Sequence, residues 1–187
     1  MGRIEDLCER YQRLIALPWQ RTLSGDQKTI FIVYPKIDER RLRLRLPEFE
    51  MATTAAGHGW LLCDLTDAFA QWMVAHEYRE AYFEDPGVIH DELETSFMPA
   101  VAETLRKTLR SVEADENAVV AVHGVASLYG LTRLSLVLRE IVNDIRGRLV
   151  VFFPGEYEQN NYRLLDARDG FNYLALPVTL HDGGMSR

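Results

Sequence analysis

The chain is short of the residues from which most enzyme signatures are built. It holds two cysteines, Cys8 in an expected helix and Cys63 in an expected strand. Neither their number nor their spacing supports a disulfide framework or a thiolate metal site. Both are expected to be reduced core residues of a cytoplasmic protein. Lysine is almost missing: Lys28, Lys36 and Lys107 are the only three. The other basic side chains are arginines, whose planar fork suits carboxylate pairing and interfaces. The histidines, His58, His76, His90, His123 and His181, are scattered, and no H-E-x-x-H occurs. Asp91, Glu92 and Glu94 fall on an expected solvated helix face, so no metal is expected. Neither G-x-x-x-x-G-K-[ST] nor G-x-S-x-G is present, which leaves no loop to wrap a phosphate and no strained nucleophile elbow. No apolar run resembles a membrane span or a signal peptide, because MGRIEDLCERYQRLIALP alternates charged with apolar residues at helical spacing. No membrane partner is expected.

What is present is enough apolar material, 47% of 187 residues, for one sizeable core. A single α/β domain over 1–187 is expected, with no internal linker. Residues 1–17 form an N-terminal helix that packs on the domain or on a partner, and 181–187 form a flexible tail. The excess of 28 acidic over 21 basic side chains gives a formal charge of -7. That charge repels a phosphate backbone on average and argues against autonomous nucleic-acid binding.

Ile4, Leu7, Tyr11, Leu14 and Ile15 share one helical stripe. Thr29 to Tyr34 reads as a fully covered first strand. Asp38 to about Ala56 is ambiguous, since Arg41, Arg43 and Arg45 alternate with leucines as a strand would, but helix formers and a capping Asp38 favour a helix. Pro47 should mark a kink or restart within it, and Gly57 and Gly59 a stop. Trp60 to Asp64 gives a second strand in a crossover unit with the first. A helix bearing Phe69, Trp72 and Met73 follows, then one from His90 to Arg110. Ala118 to Val122 is a third strand. Next comes a helix with Leu134, Leu138, Ile141 and Ile145 inward, ended by Gly147 as a C-cap. Leu149 to Phe153 and Phe171 to Leu176 complete the strands. The alternation predicts an α/β fold: a mostly parallel sheet covered by helices on both faces, Rossmann-like or P-loop-like but without a phosphate-binding loop.

Ligands of such sheets bind beyond the carboxyl ends of the strands, which directs attention to Asp64, His123 and Gly155 as a possible crevice, with Tyr34, Lys36, Thr66, Ser127 and Glu156 nearby. The apolar run ending in Asp64 resembles the magnesium-binding strand of P-loop nucleotidases, but YPKIDER after the first strand has no glycine to wrap a phosphate. Asp64, His123 and Ser127 would form a hydrolytic triad only if the fold brought them together, and a structural histidine is the simpler reading. Tyr78, Tyr82 and Phe83 in EYREAYFEDPG form either an exposed contact surface or a helix end folded on the core.

In VFFPGEYEQNNYRLLDARDGFNYLALP a buried strand is expected to break at Pro154-Gly155 into a polar loop carrying Glu156, Asn160 and Asn161. Asp169-Gly170 is a hairpin signal that allows a short antiparallel addition at the sheet edge. Arg163, Asp166, Arg168 and Asp169 either recognise a partner or pin the turn. The segments GHGWLLCDLTDAFAQWM, EAYFEDP and VVFFPGEYEQNNYRLLDARDGFNYLALP resemble the BrxB family of bacteriophage exclusion (BREX) systems, and the similarity runs through almost the whole chain. The resemblance implies a small cytoplasmic accessory subunit for phage defence, beside a PglZ-type phosphatase-like protein, an adenine methyltransferase and a large ATPase. It carries over no catalytic residue and no cofactor. The reading that follows is a non-catalytic protein-binding subunit, with the PglZ-like component as its partner. The alternatives are a degenerate nucleotide binder at the Asp64, His123 and Gly155 crevice, or DNA contact through Arg40, Arg41, Arg43 and Arg45.

Overall fold

The computed structural model describes residues 2–180; the expected tail over 181–187, with His181, lies outside the described residues. In chain order the helices are α1 (Arg3–Ile15), α2 (Glu39–Ala55), α3 (Ala68–Ala75), α4 (Arg79–Glu84), α5 (His90–Glu92), α6 (Met98–Leu109) and α7 (Leu134–Ile141). The strands are β1 (Thr29–Tyr34), β2 (Gly59–Asp64), β3 (Ala118–His123), β4 (Arg148–Glu158), β5 (Asn161–Leu164), β6 (Phe171–Asn172) and β7 (Leu176–Val178).

Strands β1 and β3 are buried at every position, because each strand divides its side chains between two cores. Phe31 and Val33 of β1, Val120 and Val122 of β3, and Leu149, Val151 and Phe153 of β4 face one core. Helices α6 and α7 supply Val101, Leu105, Val137 and Leu138 to it. Ile30, Ile32 and Tyr34, Val119 and Ala121, and Val150 and Phe152 face the other, which is closed by Leu7 and Tyr11 of α1 and Leu42 and Phe49 of α2. Tyr11 shares a hydrogen bond of 2.6 Å with Thr53, and the Thr53 hydroxyl donates to Phe49 O at 2.8 Å, so the polar groups between these two helices are satisfied.

The sheet is mixed, which corrects the expectation of a mostly parallel one. The order β2-β3-β4-β1-β7 is held by parallel ladders, but β4 also pairs antiparallel with β5, and β5 with β6. The reason is the length of β4. It does not break at Pro154-Gly155; it runs on to Glu158 and exchanges β1 for β5 as its partner. Gln159 and Asn160, both at positive φ (50° and 63°), make the tight turn into β5, which is the backbone geometry of a two-residue hairpin. Asp169-Gly170 lies instead in the longer connection from β5 to β6.

Other boundaries also shift. The expected last strand divides into β6 and β7, because its two ends pair with different strands. Pro47 neither ends nor restarts α2; it sits on the exposed side of one continuous helix, where a lost backbone bond costs least. The expected helix from His90 to Arg110 contains a π-helical turn, Leu93–Phe97, just before Pro99, which has no N–H to continue the regular ladder. Gly147 is not a helix cap: α7 and the short turn after it end before Ile145. A Cβ at 147 would lie 2.0 Å from Ala118 O, so glycine is needed there for close backbone approach.

Candidate functional site

Adjacent parallel strands β2 and β3 end in register at Asp64 and His123. The pair meets at 3.3 Å between His123 Nε2 and Asp64 Oδ2. The turn that follows β3 requires Gly124, at φ +79°, where a Cβ would lie 2.5 Å from Thr66 N. Asp64 Oδ1 accepts the Thr66 amide at 2.8 Å. His123 is 7% exposed, and its Nδ1 and the Thr66 hydroxyl are buried without a hydrogen-bond partner among the described residues. Burial pushes the His123 imidazole below its ordinary pKa, with Arg43 acting in the same direction and Asp64 against it. Partial burial alone would raise the Asp64 carboxyl, but Thr66, His123 and Arg43 together hold it below the usual carboxylate range. Both shifts act in one sense, favouring the neutral imidazole and the ionised carboxylate. Ser127 does not complete a triad: its hydroxyl is turned to Leu65 O and Gly124 O, each at 2.7 Å. Around the pair, Tyr34 donates to Glu39 at 2.5 Å and Arg43 holds the same carboxylate at 2.8 Å.

These shifts give a pH dependence of definite sign. Below the ordinary histidine value of 6.5 the unfolded chain takes up a proton that folded His123 resists, so stability falls as pH drops from there to the folded value. Asp64, also depressed, contributes stability above its unfolded value of 3.8, lost as pH falls through its lower folded value. Urea midpoints should decline from pH 6.5 downward, and His123→Gln should flatten the upper part of that decline. An unaltered slope in the variant would refute this account.

Gly155, expected in the same crevice, is committed elsewhere. A Cβ there would lie 2.1 Å from Arg163 O and 2.8 Å from the Phe153 ring, so glycine is needed where β4 and β5 approach closely. Glu156 and Arg163 are cross-strand partners and form an ion pair on the outer face. Asp166 is ion-paired with Lys36, which ties the loop after β5 to the end of β1. Asn160 accepts from Tyr157 at 2.7 Å. Asn161 crowds Gly170, where a Cβ would lie 2.4 Å from its amide nitrogen. Arg168 and Asp169 are exposed. Arg163, Asp166 and Asn160 thus pin the ribbon, while Arg168 and Asp169 stand clear on its surface.

Inside the ribbon the side chains are aromatic. Tyr162 is fully buried, its hydroxyl donating to Ala175 O at 3.0 Å. Its ring lies 4.4 Å from that of Phe31 and 5.9 Å from those of Phe153 and Phe171. The arginines of α2 do not share a free face. Arg41 pairs with Asp38 at 3.6 Å, Arg43 with Glu39, and Arg45 with Glu5 and, at 2.7 Å, Glu48; Arg40 is exposed. Of the aromatic group at α4, Tyr82 is buried whereas Tyr78, just before the helix, and Phe83 are exposed. Among the described residues no three His, Cys, Asp or Glu side chains gather to hold a metal, and no helix is long and apolar enough to cross a membrane.

Neither the curated proteins nor the solved structures give a match. A family model described as BREX protein BrxB matches residues 67–176, from just before α3 to the start of β7. That span is more than half of the chain and includes the whole ribbon, while α1, β1, α2 and β2 lie outside it. The chain belongs to the BrxB family and is thereby a component of BREX phage defence.

Proposed function

We propose that the chain is a non-catalytic accessory subunit that acts in the cytoplasm by docking another BREX protein, the PglZ-like component, on the outer face of the β4–β6 ribbon. The observation that carries this reading is the two-sidedness of the ribbon. Its inner side is locked into the core by Tyr162 and Phe171, whereas its outer side presents Glu156, Glu158 and Arg163, with Arg168 and Asp169 exposed in the connection from β5 to β6. Strand β6 pairs with β5 alone, so its far edge offers backbone groups to an incoming chain. Charged faces of this kind set partner choice and register more than raw affinity. The frame itself supports the P-loop-like of the two expected topologies: β1 lies between β4 and β7, unlike the doubly wound orders 3-2-1-4-5-6 and 2-1-3-4-5.

Co-purification of the chain with the PglZ-like protein tests the proposal. Arg168→Glu, which disturbs no contact within the ribbon, should weaken the complex about tenfold or more and leave the circular dichroism unchanged. Arg163→Glu should weaken it further by also breaking the pair with Glu156. Failure of the wild-type chain to associate with any component of the system would overturn the reading.

A further inference from the structure

The amino-terminal end of the parallel strands, opposite the strand tips, holds a pocket of about 340 Å³, built from the residues that immediately precede β1, β2 and β3 and the one that opens β4. Its lining is basic in a chain whose net charge is -7: Lys28, Arg146, Arg148 and, at the rim, Arg21, against the single carboxylate of Glu116. Arg21 and Glu116 neutralise one another at 3.5 Å. The remaining three cations have no carboxylate among the described residues. Lys28 Nζ donates to Arg146 O at 3.1 Å, Arg146 donates to Leu109 O at 3.1 Å and to Ser111 O, and Arg148 donates to Gln20 O and Gly147 O, each at 3.2 Å.

Arg148 makes this arrangement unusual. The residue is 8% exposed, and an arginine so largely covered normally has an anion beside it. Burial, with no nearby opposite charge to offset it, pulls its pKa below the ordinary arginine value. Two bonds to carbonyls use part of a five-donor fork. The side chain is held in place by Trp19, whose ring centre lies 4.7 Å from the guanidinium carbon, and Trp19 is stacked on His58 at 3.8 Å and 14°. His58 is fixed in turn by Asn117 at 2.7 Å. The cations are therefore preorganised before any ligand arrives, as an oxyanion site requires. Gly147 completes the construction, since only a residue without a Cβ brings the 146–148 backbone this close to the start of β3.

We propose that this pocket is an oxyanion-binding site that takes a phosphate group, either free or at the end of a small phosphate ester. Lys28 and Arg148, neither with a carboxylate partner, supply two positive charges to the cavity, with Arg146 beside them bonded to the carbonyl end of α6, and a guanidinium fork beside a lysine matches a phosphate group in geometry. The volume accommodates a small ligand rather than a polymer. The site lies at the opposite end of the strands from Asp64 and His123 and from the ribbon, so it stands independently of the docking proposal.

Calorimetric titration of the full chain at low salt with inorganic phosphate, and separately with AMP, tests it. Saturable binding of at least one probe is expected, and Lys28→Gln should weaken that binding about tenfold, the cost of one charge-assisted hydrogen bond. Glu116→Gln should tighten it, a change of sign that a misfolded variant cannot imitate. AMP binding well above phosphate assigns the site to an ester; equal binding assigns it to the free ion. Absence of saturable binding for both probes at millimolar concentration, or binding indifferent to Lys28→Gln, would overturn the proposal, as would binding of an acidic peptide in place of either probe.

Discussion

Gly155→Ala should unfold the ribbon from the sheet and cost about 3 kcal/mol, at the upper end of what overpacking does in a well-packed region. An alanine methyl would meet Arg163 O at 2.1 Å and Phe153 at 2.8 Å. Neither neighbour can yield cheaply. The carbonyl belongs to the β4–β5 ladder, and the Phe153 ring is fully buried and packed on Phe31 and Tyr162. The strands must part, and parting them exposes Tyr162 and lifts Phe171. Urea denaturation should show the loss, and limited proteolysis should cut within residues 155–172. A midpoint within experimental error of wild type would show that β4 and β5 are not in contact at this position.

Phe31→Ala is expected to have the largest effect on stability, about 3–5 kcal/mol, as for other fully buried phenylalanines. Phe31 is 0% exposed and sits at the centre of an aromatic group, with the rings of Phe153, Tyr162 and Tyr173 at 5.4, 4.4 and 5.8 Å. It is the side chain through which β1 holds the ribbon. At about 2–4 °C per kcal/mol for a domain of this size, the melting temperature should fall by roughly 10 °C. Phe49→Ala provides the contrast, because Phe49 packs on Tyr11 and Phe152 in the opposite core. Both variants should be destabilised, but only Phe31→Ala should increase amide exchange across residues 161–173. Equal loosening of the ribbon by both would show that the two cores are not independent.

The covered strands are readable because β1, β3 and the first half of β4 hold continuous apolar runs rich in β-branched or aromatic residues, which no helix stripe explains. Helix α2 was readable through its composition despite the alternation of arginine and leucine. The ribbon is hidden in the sequence because Pro154-Gly155 and the Asn-rich stretch carry the chemistry of loops, although Tyr157 between two glutamates, and Tyr162 between Asn161 and Arg163, already alternate with the period of a half-buried strand. Strand pairing decided the outcome: a proline is tolerated in β4 because the strand changes partner there. For the strand tips, the joining of Asp64 and His123 was foreshadowed by their places at strand ends, but Gly155 could be excluded only once its partner across β5 was known. The basic pocket was not foreshadowed at all. Trp19, Lys28, His58 and Arg148 are distant in sequence and share no spacing; they meet because parallel strands bring their starts to one end.

The eleven residues of β4 also determine how the molecule bears load. Its inner half is flanked by β3 and β1, both running in the same direction, while its far half leaves the core as the first strand of the ribbon. A pull exerted at Glu158 is directed along the axis of a central strand, so the ladders on its two sides are sheared together and cannot be opened one rung at a time. The connection from ribbon to core thus behaves as a tie-rod rather than a hinge, and a load on the ribbon is carried into the whole sheet.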